Sequence, residues 1–207
     1  MSLQGYDAAL KLLLRGSPVV ALRELTGTAV VKWLDVELPK VQSLRLDLLG
    51  ETVEGRLVHL ELQSSDDRAM AVRMAEYGLG VYRLFRRFPE QILLYEGEPR
   101  LRMRRELRGA GMYFQHRQMD IRELDGERLL ENDHIDDNVL AVLARLRDHK
   151  DHKEAVHRIV RRARRLPRAE RELALAELAV LAGLRSLGKV VEPELHGYAN
   201  YCGHSET

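Results

Sequence analysis

Two short segments that alternate apolar and polar residues limit what this chain can fold into more than any other feature. The first covers residues 43–49 and ends at Gly50, and the second covers residues 56–63 after an intervening turn. A period of two is typical of β-strands, because successive side chains on a strand point to opposite faces. The two segments together therefore predict a β-hairpin.

Acidic and amide side chains interrupt this predicted hairpin. Asp47 lies near the end of the first segment, Glu61 follows fourteen positions later, and Gln63 lies two positions beyond Glu61. Glu61 and Gln63 share one face of their strand, and Asp47 on the neighbouring strand can lie beside Glu61. Adjacent carboxylates repel each other unless a cation lies between them, and such oxygen ligands suit Mg²⁺ or Mn²⁺.

Two interpretations of these polar residues stay open. One is a metal site that lowers the pKa of a bound water and polarises a phosphodiester. The other is a solvated polar face of the hairpin. Acids enclosed by leucines, as Asp47 and Glu61 are, favour the first interpretation, because an apolar setting is costly for a carboxylate without a function.

The rest of the chain adds helices, one buried strand and a further strand region at residues 112–124. Residues 68–87 carry apolar side chains at helical spacing, namely Met70, Met74, Tyr77, Val81 and Leu84, continued by Phe88. The apolar run at residues 91–95 predicts a central strand, and helical stripes dominate from residue 136 onward. This order predicts an α/β core followed by helices.

Charge and composition exclude several classes of protein. The net charge is +1, so no global field steers the chain to nucleic acid, although arginines cluster locally at residues 100–108 and 158–168. The single cysteine excludes a disulfide framework and a multi-cysteine zinc site. No apolar run of about 18 residues predicts a membrane span. We therefore expect a cytoplasmic protein without a membrane partner.

Five motifs occur in a fixed order across more than half of the chain. They are YDAALK at residues 6–11, RLD at 45–47, ELQS at 61–64, RMAEY at 73–77 and ILLY at 92–95. This set resembles the recombination-promoting nuclease/putative transposase family of the PD-(D/E)XK nuclease superfamily. The resemblance implies a restriction-endonuclease-like αβββαβ core at residues 1–130 and a helical C-terminal extension at residues 131–207.

The resemblance also implies an activity, which is hydrolysis of DNA by a magnesium- or manganese-dependent endonuclease associated with transposition or recombination. Asp47 and Glu61 fall on the metal-ligand positions of the superfamily pattern, and the Leu62 carbonyl or the Gln63 side chain would complete the coordination sphere. The third catalytic position, usually lysine, is Gln63 here. Glutamine can orient a water but carries no charge, so a slow or non-cutting protein stays possible.

Three further residues are candidates with two interpretations each. Glu37 matches an acid that superfamily members often place before the first strand, or it is a surface acid before a turn. Asp7 lies in the N-terminal motif, near the site or as a helix cap. Arg73 and Tyr77 share a helix face, so Arg73 either contacts DNA phosphate or is an exposed neighbour of a core tyrosine.

Two alternatives to an active endonuclease remain. One is a DNA- or protein-binding member that keeps the nuclease fold without cutting, which the glutamine at position 63 and the low net charge favour. The other is a structural protein, because leucine-rich C-terminal helices are typical of oligomers. The expected partners are therefore DNA and, as a possibility, further copies of this chain.

Overall fold

The protein is described here by a computed structural model, which covers residues 3–16, 18–38, 44–147, 151–185 and 187–193. Packing divides the chain into two compact units. The first, Leu22–Ile121, is called the sheet unit, and the second, Met1–Ala21 with Arg122–Thr207, is called the helical unit.

The strands found among the described residues lie in the sheet unit: β1 (Val30–Leu34), β2 (Glu37–Leu38), β3 (Leu44–Arg45), β4 (Leu48–Thr52), β5 (Leu57–Gln63), β6 (Glu90–Tyr95), β7 (Glu106–Gly109), β8 (Met112–Gln115) and β9 (Arg117–Asp120). The helices are α1 (Leu3–Arg15), α2 (Val19–Thr26), α3 (Met70–Phe85), α4 (Gly126–Glu131), α5 (Ile135–Leu140), α6 (Asp151–Ala163) and α7 (Arg168–Gly183). A 3-10 turn covers Ile121–Glu123.

Five strands form a mixed sheet in the order β1-β4-β5-β6-β9. Strands β1, β4 and β5 are antiparallel neighbours, whereas β6 is parallel to β5 and β9 is parallel to β6. A parallel neighbour requires a crossover, which α3 provides between β5 and β6. The predicted α/β class is confirmed, and so is the predicted central strand, because β6 lies between β5 and β9.

The predicted hairpin is present as β4 and β5, but its first strand is shorter than expected. Residues 44–45 pair instead with β2 in a separate two-stranded ribbon, and Asp47 lies at the bend between that ribbon and β4. The turn is also shorter, because β4 continues to Thr52. The ladder therefore ends beside Asp47, which leaves its side chain available for contacts across the sheet.

The polar stripe of β5 is buried at His59 and Glu61 and half-buried at Gln63, so the interpretation as a solvated face is wrong for the first two. His59 is fully buried and Glu61 is 2% exposed. The reason is that β5 is the middle strand of the sheet and α3 covers this face. Leu57, on the same side of β5, joins a buried cluster with Met74 and Tyr77 of α3.

The central helix is shorter than the apolar spacing predicts. It begins at Met70 and ends at Phe85, where Arg86 adopts a left-handed conformation with φ of 56°. Leu84 and Phe88 are exposed, and Phe88 stacks on Tyr82 with ring centroids 4.5 Å apart. The buried stripe of α3 therefore stops at Val81.

The helical unit joins the first helix to the C-terminal ones, since α1 packs against α5 and α7. The buried Asp137 carboxylate accepts hydrogen bonds from the amides of Val20 and Ala21, both at 2.9 Å, and so caps the first turn of α2. The ranges 1–130 and 131–207 predicted from the sequence separate α1 from the helices it contacts here. Among the described residues, no helix has the length and apolar character that crossing a membrane requires.

Candidate functional site

Asp47 and Glu61 lie at the same end of the β4–β5 ladder. The register pairs Leu48 with Leu60, and one further step places Asp47 opposite Glu61. Asp47 Oδ2 accepts a hydrogen bond of 2.9 Å from the Leu62 amide, which ties the bend to β5. The structure therefore brings together the two acids that the sequence pairs.

Both oxygens of the buried Glu61 carboxylate are engaged. Arg73 Nη2 donates to Glu61 Oε1 at 2.9 Å, and His59 Nε2 lies 3.2 Å from Glu61 Oε2. A buried carboxylate is tolerated only when such partners replace its lost hydration. The fold therefore stabilises an acid at this position instead of avoiding one.

Arg73 connects the buried acid to the turn that leads into α3. Its Nη1 donates to Asp67 Oδ2 at 2.9 Å, and its Nη2 lies 3.4 Å from the Tyr77 hydroxyl. Burial disfavours its charge, but the hydrogen bonds to Tyr77 and Asp67 and the charge of Glu61 together raise the pKa of Arg73. The predicted DNA contact of Arg73 stays a prediction, and the guanidinium already binds two acids.

The negative charge of this site affects the pKa of the Tyr77 hydroxyl. Burial raises its pKa, and the nearby Glu61 carboxylate raises it further, with a smaller contribution of the same sign from Asp47. Both acids therefore raise the pKa of the same side chain of α3. Tyr77 itself is 4% exposed, in agreement with the interpretation as a core residue.

A buried amide fixes the histidine that faces Glu61. Gln91 Nε2 lies 2.7 Å from the Met74 carbonyl and 3.1 Å from His59 Nδ1. The amide nitrogen must face the carbonyl, because an oxygen there could not donate, so its second hydrogen points to Nδ1. His59 Nδ1 consequently accepts from Gln91, and its Nε2 is the ring nitrogen that donates to Glu61 Oε2.

A glycine in α3 leaves room for that amide. A Cβ at Gly78 would lie 2.7 Å from Gln91 Oε1, so the glycine lets α3 approach β6 at this point. Neither His59 nor Gln91 was predicted from the sequence as a site residue. His59 carries one signal, since it shares the strand face of Glu61, whereas Gln91 lies on a different strand and carries none.

The remaining candidates have different surroundings. Gln63 Nε2 donates to the Ser65 carbonyl at 2.9 Å. Glu37 belongs to β2 and pairs with Arg45 through the backbone, but its side chain lies outside the described part of the structure. Asp7 belongs to the helical unit, where it forms an ion pair of 3.0 Å with Lys11.

The oxygen atoms around Asp47 are of the kind that a small divalent cation takes as ligands. The described residues hold no group of three or more His, Cys, Asp or Glu side chains arranged for a metal. Magnesium, however, is usually held by one or two carboxylates together with waters and substrate phosphates. Asp47 and Glu61 supply the carboxylates, and the Leu62 carbonyl points to the same side of β5 as its amide, which is the side of Asp47.

Comparison with known proteins adds no relative to this chain. No protein-family model matches it, and neither a curated protein nor a solved structure shows significant similarity to it. Function is therefore inferred from the chain's own residues and their geometry.

Proposed function

We propose that this chain is a metal-dependent endonuclease that hydrolyses phosphodiester bonds of DNA, with Asp47 and Glu61 as ligands of Mg²⁺ or Mn²⁺. The observation that carries this proposal is the position of Glu61, which is 2% exposed and lies opposite Asp47 where the β4–β5 ladder ends. A buried carboxylate beside a second acid is expensive for a fold, and it is a common feature of sites that bind cations.

The strand order supports the same proposal. A helix is followed by three antiparallel strands of the main sheet, then by the crossover helix α3, and then by the parallel strand β6. With the β2–β3 ribbon set aside, this order agrees with the restriction-endonuclease-like αβββαβ core that the sequence motifs imply. An association with transposition or recombination belongs to the proposal through those motifs alone.

The chain's own residues would prepare the reaction. A divalent cation, when bound, lowers the pKa of a coordinated water and polarises a phosphoryl oxygen. The Leu62 amide holds one oxygen of Asp47 in place, while His59 and Arg73 orient the carboxylate of Glu61. Gln63 would orient the attacking water without supplying charge.

A second candidate is a DNA- or protein-binding protein that keeps the fold but does not cut. Two observations favour it. Arg73 and His59 already bind the two oxygens of Glu61, so a cation would have to share this carboxylate with them or displace one of them. Gln63 also lacks the charge that lysine supplies at this position of the superfamily pattern.

Nicking of supercoiled plasmid tests the proposal. The wild type should nick in Mg²⁺ or Mn²⁺ and stop in EDTA, and Asp47→Asn and Glu61→Gln should reduce cutting to the level of buffer alone. The matched controls Asp35→Asn and Glu76→Gln, which alter exposed acids outside the site, should cut like the wild type. Equal traces of cutting in every preparation would indicate contamination and make the non-cutting candidate the better one.

A further inference from the structure

A basic strip borders the candidate site. It covers residues 100–105, where exposed arginines alternate with inward apolar residues: Arg100, Arg102 and Arg104 are exposed, Leu101 is half-buried and Met103 is 8% exposed. This alternation is that of an extended chain, in which residues two apart point to the same side. The three arginines therefore form one outward-facing row, with Arg105 beside it.

Two contacts fix the strip next to the site. Met103 packs in the buried cluster that also contains Leu46, the residue before Asp47, and Tyr77, whose hydroxyl contacts Arg73. The Arg102 amide donates to Asp66 Oδ1 at 3.1 Å, and Asp66 belongs to the turn that follows Gln63 at the end of β5. The strip therefore passes the end of the strand that carries Glu61.

Within the described residues, the guanidinium groups of this strip lack the acidic partners that three other exposed arginines of the sheet unit have. Arg56 and Arg87 form ion pairs with Glu90 and Glu51, at 3.1 and 3.2 Å. Arg108, in the hairpin that follows the strip, pairs with Glu106 at 3.0 Å. Within the described ranges, no acidic side chain pairs with the arginines of the strip, which are Arg100, Arg102, Arg104 and Arg105.

We infer that this basic strip binds the phosphate backbone of duplex DNA and holds it across the Asp47–Glu61 site. This inference rests on the proposed function. Arginines two apart on an extended chain are spaced by about 6.6 Å, and each DNA strand presents a phosphate for every ~3.4 Å of helix axis, so the row can follow one strand. The planar guanidinium group of arginine can donate two hydrogen bonds to phosphate oxygens. Because the net charge of the chain is only +1, a local row of arginines is needed to attract DNA.

The test measures binding without cutting. The full chain with Arg100, Arg102 and Arg104 changed to Gln is titrated against a fluorescent duplex in EDTA, at several salt concentrations. Its affinity should fall at least tenfold, and the slope of log affinity against log salt should shrink by about 2.7, because each lost phosphate contact contributes about 0.9. Replacement of the same three residues by Lys should keep most of that slope.

A matched control removes the same charge elsewhere. Arg161, Arg164 and Arg165, exposed residues of the helical unit, are changed to Gln together and should leave the affinity near that of the wild type. Equal losses in both triple variants would overturn the inference, as would an unchanged affinity in the strip variant. Thermal melting at the wild-type temperature shows that the exposed substitutions leave the fold intact.

The result separates this inference from the proposed function. A wild type that binds DNA through the strip but never nicks plasmid overturns the endonuclease and leaves the strip in place. A wild type that nicks, with a strip variant that binds and nicks equally well, overturns the strip alone. A wild type that binds poly-glutamate but not DNA also overturns the inference. Such binding would indicate that the arginines of the strip recognise acidic proteins instead of DNA.

Discussion

Arg73 donates from Nη2 to Oε1 of Glu61 across 2.9 Å, and the carboxylate that it binds is only 2% exposed. The same guanidinium binds Asp67 at the start of the turn into α3. The cation that stabilises the fold around Glu61 is therefore also the group with which a divalent metal would compete. This ion pair therefore links the stability of the sheet unit to the proposed metal site.

Changing Arg73 to Gln should destabilise the sheet unit, because it leaves a buried carboxylate without its cation. The expected loss in free energy of unfolding is about 1–3 kcal/mol, less than for a fully buried pair because the arginine is partly exposed. Urea unfolding followed by circular dichroism measures it. Arg68→Gln, an exposed arginine just before α3, should change stability by less than about 0.5 kcal/mol, and equal losses in the two variants would contradict the account.

His116 should make stability depend on pH in the acidic range. Burial, together with the charge of His59, lowers its pKa to about 4, whereas an unfolded histidine titrates near about 6.5. Between these values the unfolded chain binds more protons, so the contribution of His116 is complete above about pH 6.5 and is lost as the pH falls towards its folded pKa.

The wild type should therefore lose about 2 kcal/mol from this group between pH 7 and pH 5, and His116→Gln should remove that part of the slope. The free energy of unfolding at several pH values measures the difference between the two proteins. His134→Gln, which alters an exposed histidine, should retain the slope. Parallel curves for His116→Gln and the wild type would show that the buried ring does not titrate as described.

Glu177 should act in the opposite direction. Burial in α7, reinforced by the charge of Asp136, raises its pKa to about 7 from the model-peptide value of 4.5. The folded chain therefore holds the extra proton, and the associated stability is complete below about pH 4.5 and is lost as the pH rises through 7. Because glutamine needs no proton, Glu177→Gln should exceed the wild type by up to about 3 kcal/mol at pH 8 and match it near pH 4.5.

Unfolding at both pH values tests this prediction, with Glu170→Gln as the control, because Glu170 is exposed on the same helix. A Glu177→Gln variant that is no more stable than the wild type at pH 8 would show that the carboxylate is ionised there without cost.

Local periodicity predicted the elements that frame the site. The alternation in residues 56–63 corresponds to β5, and the apolar run in residues 91–95 corresponds to β6. Both patterns depend only on neighbouring residues, so they can be read from the sequence of the strand itself. The same information placed Glu61 and Gln63 together. The α/β class follows from the order of such elements.

Burial of the polar face of β5 could not be predicted, because it depends on distant parts of the chain. Whether the polar face of β5 meets solvent depends on α3, and the partners of His59 and Glu61 come from Gln91 and Arg73. The cap of α2 likewise comes from Asp137, 116 and 117 residues away from the amides that it accepts. No spacing rule relates residues so far apart.

Titration of Mn²⁺ into the purified protein, followed by calorimetry, tests the central claim most directly. The wild type should bind one ion at the site of Asp47 and Glu61, and that binding should disappear in Asp47→Asn and in Glu61→Gln but persist in Glu76→Gln. Binding of Mn²⁺ that is the same in all four proteins, or absent from the wild type, would contradict the metal site and with it the proposed endonuclease.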